Sequence, residues 1–167
     1  MELTTERLRL RHWRDDDLGA YAAFFADERQ ARFVGGACPD YEAWRRLAVV
    51  AGHWALKGFG LWAVEERDGG GFVGCVGVQK PEGWPETELG YWIAPEMQHR
   101  GYATEAGLAA RDHAYDTLDI DTLVSYIHPD NAPSIRVAER LGASLERYVE
   151  LLAFGRHGVY RHPGPDA

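Results

Sequence analysis

Apolar and polar residues alternate along Leu8-Arg9-Leu10-Arg11, which predicts a strand with one buried face. The period then changes. Asp15-Asp16-Asp17 sets three carboxylates where a helix start offers free N–H groups and a positive dipole end. Leu18, Tyr21, Ala22 and Phe25 follow at helical spacing. Residues 32–39, with Gly35-Gly36 and Pro39, read as a loop. Asp40 is expected to cap a second helix that ends near Gly58, with Trp44, Leu47, Ala48, Ala51 and Trp54 as its apolar face. Two β-rich runs, 61–66 and 72–78, flank Asp68-Gly69-Gly70-Gly71 and predict a hairpin. After a Pro-containing loop at 80–85, residues 87–93 form another strand. Residues 103–118 are helical by composition, and 122–127 are a strand. Asn131 caps a short helix with Pro133 in its first turn and Gly142 past its end. Residues 145–152 and 158–162 close the chain as a hairpin around Gly155. The predicted order is β-α-α-β-β-β-α-β-α-β-β, a mixed α/β class without repeats or linkers.

Composition narrows the picture. At roughly 150 residues per domain, the 167 residues predict one domain spanning 1–167. Hydrophobic residues at 46% and charged residues at 26% exclude disorder, collagen-like sequence and a disulfide scaffold. Cys38 and Cys75 have neither zinc nor redox-pair spacing, so they are expected to be reduced thiols. Met1-Glu2-Leu3-Thr4-Thr5-Glu6 lacks the basic and apolar regions of a secretory signal. No apolar run approaches the ~18 residues of a membrane span. A cytoplasmic protein with no membrane partner is expected. The net charge of −8 argues against a nucleic-acid partner and suits a basic or amine-bearing one. No histidine pair has metal-ligand spacing, so no metal is expected. Six tryptophans and eight tyrosines exceed what a core of this size needs, and some are expected to line a groove.

The candidate chemistry lies in Glu88-Leu89-Gly90-Tyr91-Trp92-Ile93-Ala94-Pro95-Glu96-Met97-Gln98-His99-Arg100-Gly101-Tyr102-Ala103-Thr104-Glu105-Ala106. A strand here runs through a Gly-containing loop into a helix. A helix N-terminus offers unbonded N–H groups and a positive dipole end, which suits phosphate oxygens. Gly101 and Ala103 permit close backbone approach, while Arg100 and the Thr104 hydroxyl offer charge and a hydrogen bond. The pattern Gln-x-x-Gly-x-Ala is weak alone; Arg32-Phe33-Val34-Gly35-Gly36-Ala37 fits its looser form. Only the later copy has strand, loop and helix in order.

Gln98-His99-Arg100-Gly101-Tyr102-Ala103 resembles the acetyl-CoA pyrophosphate loop of the GNAT superfamily of N-acetyltransferases, and the element order resembles that fold over nearly the whole chain. Thr5-Glu6-Arg7-Leu8-Arg9-Leu10-Arg11, Glu88-Leu89-Gly90-Tyr91-Trp92 and Pro129-Asp130-Asn131-x-x-Ser134 are similar to the Rim-type branch, which includes acetyltransferases for ribosomal-protein N-termini. The resemblance implies a sheet splayed between its fourth and fifth predicted strands. It implies acetyl-CoA held by Trp92, Ile93, residues 98–104, Asn131 and Ser134, with the Ile93 N–H near the thioester oxygen. Asn131 also reads as a plain N-cap. Many family members carry a tyrosine where this chain has Ala138, and a usual Gly-Phe is Gly142-Ala143 here. Some Rim-type relatives look instead to a serine one turn earlier, the place of Ser134. A proton relay, a helix cap and a bond to sulfur remain its open readings.

Acyl transfer to an amine needs an unprotonated nucleophile. Glu88 is the candidate general base, on one strand face with Gly90 and Trp92, and Glu86 shares its parity as the competitor. Phe33, Trp84 and Trp13 are the candidate walls of the acceptor groove. The leading reading is direct transfer from acetyl-CoA to a protein or peptide N-terminus. Small amines such as polyamines or aminoglycosides are the alternative acceptors, and a non-catalytic acyl-CoA-binding regulatory domain is the alternative of another class. Rim-type relatives also suggest a homodimer.

Overall fold

The Leu8–Arg11 alternation is the second of eight strands in the computed structural model, which describes residues 1–165; the last two residues of the expected 1–167 domain lie outside the described residues. The chain runs β1 (Leu3–Thr4), β2 (Leu8–Arg11), α1 (Leu18–Ala26), α2 (Glu28–Ala31) and α3 (Asp40–Lys57). It continues with β3 (Leu61–Glu66), β4 (Phe72–Gln79), β5 (Glu88–Ile93) and α4 (Tyr102–Leu118). The last elements are β6 (Val124–Ile127), α5 (Ala132–Arg140), β7 (Ser144–Glu150) and β8 (Arg156–Arg161). One mixed sheet orders the strands β1-β2-β3-β4-β5-β6-β8-β7. The predicted order is present with two additions, β1 and α2. A two-residue strand shows no alternation, and α2 is a single turn whose start is capped by the Asp27 carboxylate, which accepts from the Arg29 and Gln30 N–H groups.

The sheet opens where expected, between the fourth and fifth predicted strands, here β5 and β6. Among the described residues these are its only parallel neighbours, and they meet through a single register pair, Glu88 with Val124. By contrast, β5 is paired with β4 along its whole length, from Gln79 with Glu88 to Gly74 with Ile93. At Gly74 the close approach is obligatory: φ is +153°, and a Cβ there would lie 2.3 Å from the Trp92 oxygen. The β5 groups that face β6 belong to the odd-numbered residues. Ser125 Oγ donates to the Leu89 oxygen at 2.7 Å, and beyond that bond the strands part.

Helix α4 covers one face, with Ala106, Ala110 and Ala114 fully buried in the same core as Leu8, Val64 and Val76. The other face carries α1 and α3, whose Tyr21, Phe24, Phe25 and Leu47 enclose Trp92; the Phe24 and Trp92 rings stack with centroids 4.1 Å apart. The buried stripe of α3 differs from the expected one. Ala43 and Leu47 face inward, whereas Trp44, Ala48 and Ala51 are exposed. Trp54 does reach the core. Pro39, not Asp40, occupies the N-cap position, and Gly58 ends the helix in the left-handed region as expected.

Asp17 stands at the helix start as expected, accepting the Arg14 N–H at 2.8 Å, and has a further role across the sheet. It is buried and binds Arg11, whose Nη1 and Nη2 donate to its two oxygens at 2.8 Å each, while Arg11 Nε donates to Glu65 at 2.6 Å. Burial pushes the Asp17 carboxyl up, but the Arg11 bonds and the Arg14 N–H outweigh it and hold it below its usual range. This charge cluster fastens the start of α1 to β2 and β3.

Candidate active site

The loop after β5 is built from two left-handed residues. His99 has φ +61° and Gly101 φ +82°, and α4 begins at Tyr102. That turn leaves the first N–H groups of α4 without intrahelical partners. Tyr102, Ala103 and Thr104 line a cleft of about 510 Å³ together with Gln98, His99 and Gly101. The Gln98 amide braces the loop by donating to the Ile93 oxygen and to Gln30 Oε1, both at 2.9 Å. A second brace comes from the chain's start. Arg7 donates to Glu105 at 2.7 Å and to the Arg100 oxygen at 3.0 Å, and Thr5 Oγ1 donates to Glu105 at 2.6 Å.

Two side chains of this loop carry their polar ends away from the cleft. Arg100 donates to the Glu96 oxygen at 2.9 Å and lies 3.6 Å from Glu66, so it does not line the cavity. The Tyr102 hydroxyl donates to Glu66 at 2.5 Å, with its ring beneath the Arg7 guanidinium. The cations that line the cleft are Arg29, Arg136 and Arg140. Sequence reasoning missed them, because Arg136 and Arg140 look like the solvated face of α5.

Across the opening, Asn131 Oδ1 accepts from the Ser134 N–H at 3.3 Å and caps α5. The Ser134 carbonyl accepts from the Tyr91 hydroxyl at 2.8 Å, and the Ser134 hydroxyl has no protein partner among the described residues. Burial pushes the Tyr91 phenol up, which keeps it a donor.

On the far side of the splay lies a second cavity, of about 320 Å³. Phe33, Trp84, Glu88, Tyr126, His128 and His157 are among its walls. Glu88 is 9% exposed. Gln79 Nε2 and Trp84 Nε1 donate to its Oε2 at 2.9 and 2.7 Å, the Tyr126 backbone N–H also faces the carboxylate, and Oε1 is not sealed from solvent. Burial raises its pKa above the ordinary carboxylate value, with the Gln79 and Trp84 bonds opposing. Glu86 sits in the reverse environment. Arg161 and Arg147 bind both of its oxygens and hold its carboxyl below the usual range.

Trp13, named as a groove wall, lines neither cavity. Its indole N–H donates to the Leu61 oxygen at 2.8 Å and its ring packs edge-on against Tyr21. Phe33 and Trp84 do line the second cavity. The two cavities share Phe33, Val34, Tyr91, Trp92, Asn131 and Ser134, so they meet at the β5–β6 opening. Among the described residues, no three His, Cys, Asp or Glu side chains converge to hold a metal ion, and no helix is long and apolar enough to cross a membrane.

One mixed sheet of eight strands with five helices, as described above, is the GNAT fold of acetyltransferases. The chain belongs to that family: the model described as "Acetyltransferase (GNAT) domain" matches residues 7–144. It is 30% identical over 165 residues to the uncharacterized protein YkkB of Bacillus subtilis, covering 89% of this chain and 88% of that one. The crystal structure of an acetyltransferase from Agrobacterium tumefaciens superposes with a TM-score of 0.89 at 35% identity, over 98% of this chain and 94% of that one. RimL, a ribosomal-protein alpha-N-acetyltransferase solved with coenzyme A, shares the fold at 16% identity, with a TM-score of 0.77 over 97% and 96% of the two chains.

Proposed function

We propose that this chain is an acetyl-CoA-dependent N-acetyltransferase whose acceptor is the α-amino group of a protein or peptide. The observation that carries this reading is the meeting of the two cavities at the sheet opening. One cavity holds the helix start and three arginines; the other holds a buried carboxylate with an open oxygen. Acetyl-CoA supplies the activated acetyl group as a thioester. The N–H groups at the start of α4 suit a pyrophosphate, Arg29, Arg136 and Arg140 suit further phosphate charge, and among the described residues no acidic side chain lines that cleft.

Glu88 Oε1 receives a proton from the acceptor's ammonium, directly or through water. Its raised pKa suits that role, because a base buried beside apolar walls accepts a proton more readily than an exposed carboxylate. Glu86 is the weaker candidate, since two arginines stabilise its charged form. The Ile93 N–H lies on the β5 edge that faces the opening, where a donor can stabilise charge developing on an acyl oxygen. The free Ser134 hydroxyl, at the junction of both cavities, suits passing a proton to the departing sulfur.

The test is release of CoA thiol from acetyl-CoA across a panel of N-terminal peptides, polyamines and aminoglycosides. Peptides are expected to give the highest kcat/KM. Release with polyamines alone overturns the acceptor, and amine-independent binding without release marks a non-catalytic acyl-CoA-binding domain.

A further inference from the structure

Two histidines in the acceptor cavity are fixed in opposite tautomers. His157, on β8, is 7% exposed and sets Nδ1 3.0 Å from the Gly155 oxygen. A carbonyl only accepts, so Nδ1 carries the hydrogen, and the neutral ring presents a lone pair at Nε2. His128, just past β6, sets Nδ1 3.1 Å from the Asp130 backbone N–H. Here Nδ1 is the acceptor, so the hydrogen sits on Nε2. The two rings meet edge to face with centroids 5.8 Å apart, and His128 also lies against Phe33. Among the described residues neither Nε2 has a protein partner, and neither is sealed from solvent.

Beside Glu88 the cavity wall thus offers a further acceptor, His157 Nε2, and a donor, His128 Nε2–H. A simple alkylamine uses acceptors only. An α-amino acyl group also carries, three bonds from its nitrogen, a carbonyl oxygen that needs a donor. Resting on the acceptor reading above, we propose that the pair recognises this group. His157 Nε2 accepts from the amine and orients its lone pair, and His128 Nε2–H donates to the carbonyl oxygen of the acceptor's first residue. A polyamine leaves the His128 donor without a partner.

The experiment compares a short N-terminal peptide with its alkene isostere, in which the first carbonyl carbon and following nitrogen become a double bond. Wild type is expected to favour the peptide about tenfold in kcat/KM, the upper range for one neutral hydrogen bond. His128→Phe keeps the ring against Phe33 and is expected to cost the peptide about tenfold more than the isostere, so that the preference disappears. His157→Phe is expected to lower both acceptors alike, since the amine is common to them. Melting temperature and acetyl-CoA affinity report any loss of fold, and His128→Phe gives up the bond from the Asp130 N–H and the 3.9 Å approach to the Asp130 carboxylate. A wild-type preference below twofold, or one that survives His128→Phe, overturns the proposal while leaving peptide acetylation standing. Thiol release with polyamines and with neither of these acceptors overturns the proposed function and this assignment together.

Discussion

Glu88→Gln isolates the proposed base with little change of shape. The glutamine oxygen can take the place of Oε2 and accept from Gln79 and Trp84, which puts the new NH₂ where Oε1 was. A group that can receive a proton is thereby replaced by one that only donates. General base catalysis is worth ~10²–10⁴-fold, and at about 1.36 kcal/mol per tenfold this is about 2.7–5.4 kcal/mol of lost transition-state stabilisation. Glu88 lies outside the cleft at the α4 start, so acetyl-CoA affinity by calorimetry should not change. Wild-type kcat/KM should rise with pH as Glu88 loses its proton, with a midpoint above the ordinary ~4.3 because burial disfavours the carboxylate. The variant's deficit should shrink at high pH, where solvent deprotonates the amine. Stability runs the other way. A folded pKa above the unfolded one means that the folded state holds the proton longer, so the Glu88 contribution declines as pH rises from the unfolded pKa through the folded one. Near neutral pH the ionised Glu88 therefore costs stability, and the variant should melt no lower than wild type. Near-wild-type thiol release across the pH range refutes the base assignment, and a crippled Glu86→Gln beside an active Glu88→Gln transfers it to Glu86.

Gly101→Val forces a β-branched residue into the left-handed region at a strain of roughly 1–3 kcal/mol, and should weaken acetyl-CoA binding by calorimetry while the circular dichroism spectrum is kept. Ser134→Ala leaves the Asn131 cap intact, because that bond uses the Ser134 backbone N–H; melting temperature should hold while turnover falls by up to about tenfold, and unchanged turnover removes the relay role. Asp17→Ala leaves the Arg11 charge buried with only Glu65, so urea unfolding should show a loss of about 3–5 kcal/mol. A loss under about 1 kcal/mol would show that the cluster is not what fastens α1.

The elements that sequence pattern located well are those with a clean period. The Leu61–Glu66 and Phe72–Gln79 hairpin, β5, α4 and the Asn131-capped α5 all stand within a residue or two of expectation. The α3 stripe was misread because the helix carries apolar residues on several faces. The bulk of Trp44 outweighed the small Ala43, which is the residue that meets the core. Asp17 has a local sequence that fits a helix start, and nothing nearby in sequence shows that Arg11 is covered. Strand parity places Arg11 with the exposed Arg9, and only the docking of α1 buries it. In the candidate site, the loop around Gly101 carries its information locally. The orientation of Arg100, the arrival of Arg29, Arg136 and Arg140, and the withdrawal of Trp13 depend on contacts distant in sequence. His128 and His157 were two of seven scattered histidines, and their tautomers follow from backbone partners that only the folded chain supplies.

A sheet joined through one register pair behaves as two plates on a pivot. Strands β1 to β5 form one plate, and β6, β8 and β7 the other. Glu88 stands at the pivot itself, opposite Val124, and the Ser125 bond to Leu89 lies one residue away. A small change in the angle between the plates therefore leaves the carboxylate almost in place. The ends at Ile93 and His128 travel furthest. Misplacement of about 1 Å costs roughly 10²-fold in a reaction that depends on orientation, so substitutions in either plate's core, far from both cavities, are a route to new acceptor preferences in which the Glu88 carboxylate, the proposed base, stays where it is.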